Sequence, residues 1–136
     1  MSITYREHIL PNGLRIAAEV DPKAASAAAG FFVRSGARDE PTPLMGISHF
    51  LEHMVFKGTD ARGGEEIDEA FDELGVNHNA WTSHEITAFH VHGLPSTLEP
   101  ALRILADIMR PALRSNDLAD EAEVVVEEIA MYEDQP

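Results

Sequence analysis

His49, Glu52 and His53 form an H-x-x-E-H motif inside an apolar stretch, residues 46–56, that predicts a helix. Two histidines four positions apart on a helix project within roughly 40° of each other, so both ring nitrogens can bind one tetrahedral zinc. Glu52 lies beside them, where it can take a proton from water without being a ligand. A plain helix carrying these residues is the alternative, but three ionisable groups in an apolar stretch need a partner such as a metal.

A catalytic zinc site needs a third protein ligand, with water in the fourth position. The chain contains no cysteine, so the third ligand is a histidine or a glutamate. The remaining histidines are His8, His78, His84, His90 and His92. His90 and His92 face the same way if they lie on a strand, and a second metal pair there is an alternative to a half-exposed strand face.

Length, charge and cysteine usage restrict the class of protein. The 136 residues are 44% hydrophobic, which is enough for one modest domain with a core. A formal net charge of −14 argues against binding nucleic acid or an anionic membrane surface. Because the start of the chain lacks a signal peptide and no apolar run is long enough to span a bilayer, we predict a cytoplasmic protein without a membrane segment.

The order of predicted elements indicates an α+β fold with an antiparallel or mixed sheet and helices packed on one face. Asn12-Gly13 predicts a hairpin between residues 5–10 and 14–20. Ser96 and Glu99 form a predicted capping box for a helix that extends to about residue 110. The other predictions are a buried strand at 25–34, helices at 44–56, 64–74 and 116–132, and strands at 76–82 and 85–92.

Residues 46–59 resemble the active-site segment of the pitrilysin-type zinc peptidases, which include the mitochondrial processing peptidase β subunit, bacterial processing peptidases and insulin-degrading enzyme. Residues 79–87 resemble the edge-strand segment of that family. Residues 105–109 resemble one of its structural helices, and residues 121–129 resemble the helix that carries its third ligand. The matching segments cover nearly the whole chain in the family's order.

The resemblance assigns roles by position. It implies that His49 and His53 bind Zn²⁺, that Glu128 is the third ligand and that Glu52 is the general base. Glu121 matches a second family glutamate that supports the site. Adjacent helical residues point about 100° apart, so Glu127 and Glu128 cannot both face the metal; we choose Glu128, seven positions after Glu121, and expect Glu127 and Glu123 to lie on a solvated face.

The resemblance also implies how a peptide binds. The predicted strand at 76–82 would be an edge strand that takes up an extended peptide as a further strand, with Asn79 and Ala80 against the substrate. His84 could also contact substrate, although a polar loop residue is the plainer interpretation. Zinc and Glu52 would together activate the attacking water, and Glu52 would then pass the proton to the leaving amine.

The sequence therefore predicts a zinc-dependent endopeptidase that hydrolyses extended peptides or presequences. Family members are longer and close two similar halves over the substrate, so we expect residues 1–136 to be a single, incomplete N-terminal zinc-peptidase domain. We expect a homo-oligomer or a complementing second domain. The alternative is a zinc-holding, non-catalytic domain that binds peptides or a partner subunit. A quorum-signal lyase shares the motif but takes a cysteine ligand, which this chain lacks.

Overall fold

The computed structural model describes residues 2–133, which form five strands and four α-helices. The strands are β1 (Thr4–Ile9), β2 (Arg15–Val20), β3 (Ala27–Val33), β4 (Asn77–Thr82) and β5 (Thr87–Gly93). The helices are α1 (Ile47–Phe56), α2 (Gly64–Leu74), α3 (Leu98–Ile108) and α4 (Ser115–Glu133). Three short 3-10 turns occupy Ala37–Asp39, Thr42–Leu44 and Pro95–Thr97.

The strands form two antiparallel sheets rather than the single sheet expected from the sequence. β5 lies between β3 and β4, so β4 is at an edge of the three-stranded sheet. β1 and β2 form the predicted hairpin as a separate two-stranded sheet, and Gly13 adopts the positive φ of 87° that its turn requires. The residues of both hairpin strands are exposed, because in the described part of the chain no helix covers either face of the hairpin.

The hydrophobic core lies between the helices and one face of the three-stranded sheet. Phe89 and Val91 on β5 point into it because alternate strand residues face the same side. The helices contribute Val55, Ile67, Phe71, Ile104, Leu105 and Ile108. This arrangement confirms the predicted α+β fold, with antiparallel strands and helices packed on the sheet. No helix of the described residues combines the length and the apolar character needed to cross a membrane.

The prediction that residues 25–34 form a buried strand was wrong about burial. β3 forms there, but Phe32 is 66% exposed and Val33 is 44% exposed. β3 pairs with β5 along one side, and the side chain of Phe32, opposite Ala88 of β5, lies mostly in solvent. A run of alanine, phenylalanine and valine indicates a strand but does not reveal whether a second layer covers it.

The predicted capping box at the start of α3 was also wrong. Ser96 lies inside the 3-10 turn, so the helix begins two residues later, at Leu98, with Thr97 as its N-cap. The Thr97 hydroxyl donates to the Leu94 carbonyl oxygen instead of accepting from the helix. Glu99 therefore does not reach back to a cap and pairs with Arg103, one turn further along, at 2.8 Å.

The helices next to the motif follow the predicted boundaries closely. α2 has its predicted span and ends at Gly75, which has a positive φ of 62°. α1 begins three residues later than expected because residues 42–44 form a 3-10 turn instead of its first turn. Lys57 follows its last residue, so the helix presents a basic side chain at its C-terminal end.

Candidate metal centre

Two helices that are distant in the sequence bring three ligand-type side chains together. His49 and His53 lie one turn apart on α1, and Glu128 reaches them from α4, which packs against α1. The Nε2 atoms of the two histidines are 3.1 Å apart. Glu128 Oε2 lies 3.7 Å from His49 Nε2 and 3.4 Å from His53 Nε2. The three side chains thus form a small triangle of nitrogen and oxygen atoms.

The size of this triangle fits zinc. Tetrahedral zinc with nitrogen and oxygen ligands at about 2.0–2.1 Å places neighbouring ligand atoms about 3.3 Å apart. The three observed separations lie within a few tenths of an ångström of that spacing. Within residues 2–133 this is the only group of three or more such side chains close enough to hold a metal ion. The residues present therefore fit a three-ligand zinc site.

Glu121 determines which nitrogen of His53 is available. Its Oε1 lies 2.8 Å from His53 Nδ1, and its Oε2 contacts the Lys57 ammonium. Burial alone would raise the pKa of Glu121, but hydrogen bonds from Lys57 and His53 and their charges outweigh it, so the pKa lies below its usual value. Because an ionised carboxylate can only accept, His53 Nδ1 donates.

In the neutral ring the lone pair of His53 then lies on Nε2, which faces both His49 and Glu128. The lone pair on His53 Nε2 and the carboxylate oxygen of Glu128 are both hydrogen-bond acceptors. At 3.4 Å these two atoms repel each other unless a cation or a proton lies between them. A metal-binding histidine usually donates the N–H of its other ring nitrogen to a carboxylate or carbonyl oxygen, as His53 Nδ1 does to Glu121. The arrangement of acceptors is therefore compatible with a cation bound between these side chains.

Glu52 lies on α1 beside the two histidines and is held by the neighbouring sheet. The Thr82 hydroxyl, at the end of β4, donates to Glu52 Oε2 at 2.5 Å. Thr82 is 30 residues away in the sequence, and no local motif predicts the contact. Glu52 Oε2 is thus occupied by a donor from the edge strand, which fixes the direction of the carboxylate.

An open cleft of about 560 Å³ adjoins this cluster. Its lining includes Glu52 and His53 of α1 and Asn79 and Ala80 of β4. Phe56 and His78 add an aromatic wall, and the acidic residues Glu65 and Asp68 stand at the α2 side. The two residues predicted to contact substrate therefore lie beside the predicted base.

The N-terminal end of α1 depends on a residue that the sequence did not single out. Glu40 accepts from the backbone nitrogens of Gly46 at 2.6 Å and Ser48 at 2.8 Å. These two bonds hold the pKa of Glu40 below its ordinary value. Gly46, the N-cap residue, has no side chain to cap with and a positive φ of 93°. Glu40 supplies the missing cap from a position outside the usual capping motifs.

Other residues weighed from the sequence lie away from this centre. Glu127 is exposed, one residue from the inward-facing Glu128. His90 and His92 share a face of β5 and join no metal-type cluster of the described residues. His84 is exposed in the turn between β4 and β5. The acidic residues of α2 are exposed, and one of them, Asp68, approaches His78 at 3.4 Å.

The chain belongs to the insulinase-type peptidases, family M16, whose family model matches residues 15–136. It is 42% identical over 132 residues to the uncharacterized zinc protease YmxG of Bacillus subtilis, covering 96% of this chain and 32% of that protein. It is 38% identical over 127 residues to the probable mitochondrial-processing peptidase subunit beta of Arabidopsis thaliana, covering 93% and 24%. The predicted membership of the pitrilysin-type zinc peptidases is confirmed.

Solved structures agree with the fold. A protease from Helicobacter pylori superposes with a TM-score of 0.86 at 29% identity, covering 93% of this chain and 31% of that one. Pitrilysin superposes with a TM-score of 0.85 at 28% identity, covering 97% and 14%. The chain thus spans a third or less of the length of these relatives. The family supports a peptidase-type function and zinc as the metal.

Proposed function

We propose that this chain forms the zinc-holding part of a metalloendopeptidase that hydrolyses extended peptides such as presequences. The observation that carries the proposal is the convergence of His49, His53 and Glu128 at separations that suit tetrahedral zinc. The relatives named as zinc proteases support the choice of metal. In this proposal the three residues are the ligands, Glu52 is the general base and Glu121 supports His53.

When bound, zinc would supply a Lewis acid that activates water and polarises a carbonyl group. Glu52 contributes the proton chemistry. Thr82 holds its Oε2, which leaves Oε1 to accept a proton from the attacking water. Glu52 then returns that proton to the amine of the leaving peptide, so one carboxylate acts first as base and then as acid. Its position three residues after His49 keeps it beside the ligands throughout.

The edge position of β4 suits binding of an extended peptide. β5 pairs with one side of β4, and the backbone groups on its other side pair with no strand of the described residues. A peptide added along that side would make main-chain hydrogen bonds and pass Asn79 and Ala80 on its way to the metal ligands. Main-chain pairing tolerates varied sequences, which agrees with presequences or partly unfolded peptides as substrates.

We further propose that a second domain or a second copy completes the substrate chamber, because the chain spans a third or less of its relatives. Its exposed apolar side chains agree with such a partner. Examples are Tyr5 at 65% exposure on the hairpin, Phe32 at 66% on β3 and Val126 at 66% on α4. The alternative is a zinc-holding domain without hydrolytic activity of its own. It is supported by the same fact, that the chain spans a third or less of its relatives. A cytoplasmic location stays a prediction.

Metal analysis combined with a cleavage assay tests the proposal. We expect one zinc per chain and, once the rest of a family member is supplied, cleavage of an unstructured peptide that stops when a chelator is added. A chain that binds zinc but leaves peptides intact, alone and with the rest of a family member supplied, would support the non-catalytic alternative. A chain that binds no zinc at micromolar concentrations would contradict both.

A further inference from the structure

Lys57 directly follows α1, the helix that carries His49 and His53, and contacts a buried carboxylate. Its ammonium group meets Oε2 of Glu121, whose side chain is only 5% exposed. That oxygen is out of solvent, and the Lys57 ammonium is the only charged group of the described residues that pairs with it. The contact with Lys57 is therefore what balances the charge on that side of Glu121.

The two oxygens of Glu121 are held by His53 of α1 and by Lys57, the residue that directly follows this helix. His53 Nδ1 meets Oε1 at 2.8 Å, and Lys57, four positions and about one turn later, meets Oε2. A carboxylate held at both oxygens cannot rotate about its terminal bond. The orientation of the His53 ring, and with it the direction of the Nε2 lone pair, therefore depends on Lys57 through Glu121.

The same contact fixes one helix against the other. Glu121 and Glu128 are seven residues apart on α4, so they lie on the same face about two turns apart. Holding Glu121 against α1 therefore also sets the height and rotation at which Glu128 reaches the two histidines. Exposed ion pairs contribute little to stability, but this pair has a buried member and removing its partner leaves an uncompensated charge.

We propose that Lys57 is a positioning residue of the metal centre, holding Glu121 so that His53 and Glu128 meet at the spacing a zinc ion needs. This inference rests on the proposed zinc site. It adds a residue that ligates nothing, and it predicts that the affinity for zinc depends on a cation outside the ligand set. Partners of this kind typically change metal affinity by roughly 10–100-fold.

The test measures the dissociation constant for zinc by competition with a chromogenic chelator. Lys57→Met keeps the length of the side chain and removes its charge, and we expect zinc binding to weaken by roughly 10–100-fold. Lys57→Arg keeps the cation and should stay within a few-fold of the parent. The chain contains a single other lysine, Lys23, which is exposed, so Lys23→Met is the matched control and should leave the affinity unchanged.

A double variant separates action through Glu121 from a general effect. In a Glu121→Gln background, Lys57→Met should weaken zinc binding little further, because the carboxylate charge that Lys57 compensates is already gone. Circular dichroism of the metal-free variants checks that each one folds. If Lys57→Met does not fold, Lys57→Gln replaces it, since it also removes the charge.

The outcomes are distinct. If the parent chain binds no zinc, the proposed metal site itself fails. If the parent binds zinc and Lys57→Met matches Lys23→Met, the site stands and the positioning role is overturned. An equal further loss in the Glu121→Gln background would also overturn it, because Lys57 would then act by another route.

Discussion

Replacing Glu40 should destabilise the N-terminal end of α1. Its carboxylate accepts from the backbone nitrogens of Gly46 and Ser48, two of the helix donors that otherwise lack a partner. Loss of such a cap costs about 0.5–2 kcal/mol, and the charge interaction with the helix dipole contributes about 0.3–1 kcal/mol more at a partly exposed site. Glu40→Ala removes both contributions, and we expect a loss of about 2 kcal/mol in the free energy of unfolding.

Glu40→Gln gives a finer comparison because it keeps one carbonyl oxygen and removes the charge. We expect it to lose about 1 kcal/mol at neutral pH. Urea unfolding in excess chelator measures this, since the chelator prevents zinc binding from adding to the apparent stability. Glu19→Gln, on the exposed hairpin, removes the same charge at a site that caps no helix and serves as control.

The difference between the parent and Glu40→Gln should depend on pH with a definite sign. Because the pKa of Glu40 is lowered in the folded chain, its contribution is fully present above the pKa of the unfolded chain. It disappears as the pH falls through the lower folded-state pKa. Unfolding curves from pH 7 downward should therefore converge for the two proteins. A difference that is absent at pH 7, or that grows on acidification, would refute the capping role.

Four further outcomes are expected. His53→Ala should lose stoichiometric zinc, and retention of one zinc per chain would contradict its role as ligand. Glu52→Gln should keep zinc and lose hydrolysis, because an amide cannot accept the proton from water; cleavage at the parental rate would exclude it as the base. Thr82→Val should lower kcat about tenfold with little change in KM, by loss of one hydrogen bond to a charged group, whereas Thr82→Ser should retain activity; equal kcat values for the two variants would exclude this positioning role. Light scattering should give a mass above that of one chain at high concentration, and a single-chain mass at every concentration would argue against self-association.

Much of the region around the motif was predictable because its signals are local. The spacing of His49 and His53 predicts one face of one helix. Asn12-Gly13 marks a hairpin, and a helical apolar pattern that ends in glycine gave α2 its bounds. These inferences use neighbours within a turn or a strand pair, where chain geometry alone determines what lies together.

The parts that escaped prediction depend on contacts between distant segments. Thr82 meets Glu52 across 30 residues, and Lys57 meets Glu121 across a longer interval, so no spacing rule relates them. Glu128 was proposed as a ligand only from the resemblance to a family, because a glutamate within an acidic helix has no local sequence signal of such a role. The exposure of β3 depends on what covers the sheet, which periodicity does not encode.

If Glu128 is the third ligand, its position 75 residues after His53 would also make the metal centre a cross-link. α4 makes its main helix contact with α1, so a shared ion would close one long loop through the whole core. Closing such a loop removes many conformations from the unfolded chain, much as a disulfide does. Zinc bound there would strengthen the packing of α4 against α1, and removing it with a chelator should make α4 more susceptible to proteolysis while the sheet and α2 and α3 stay folded.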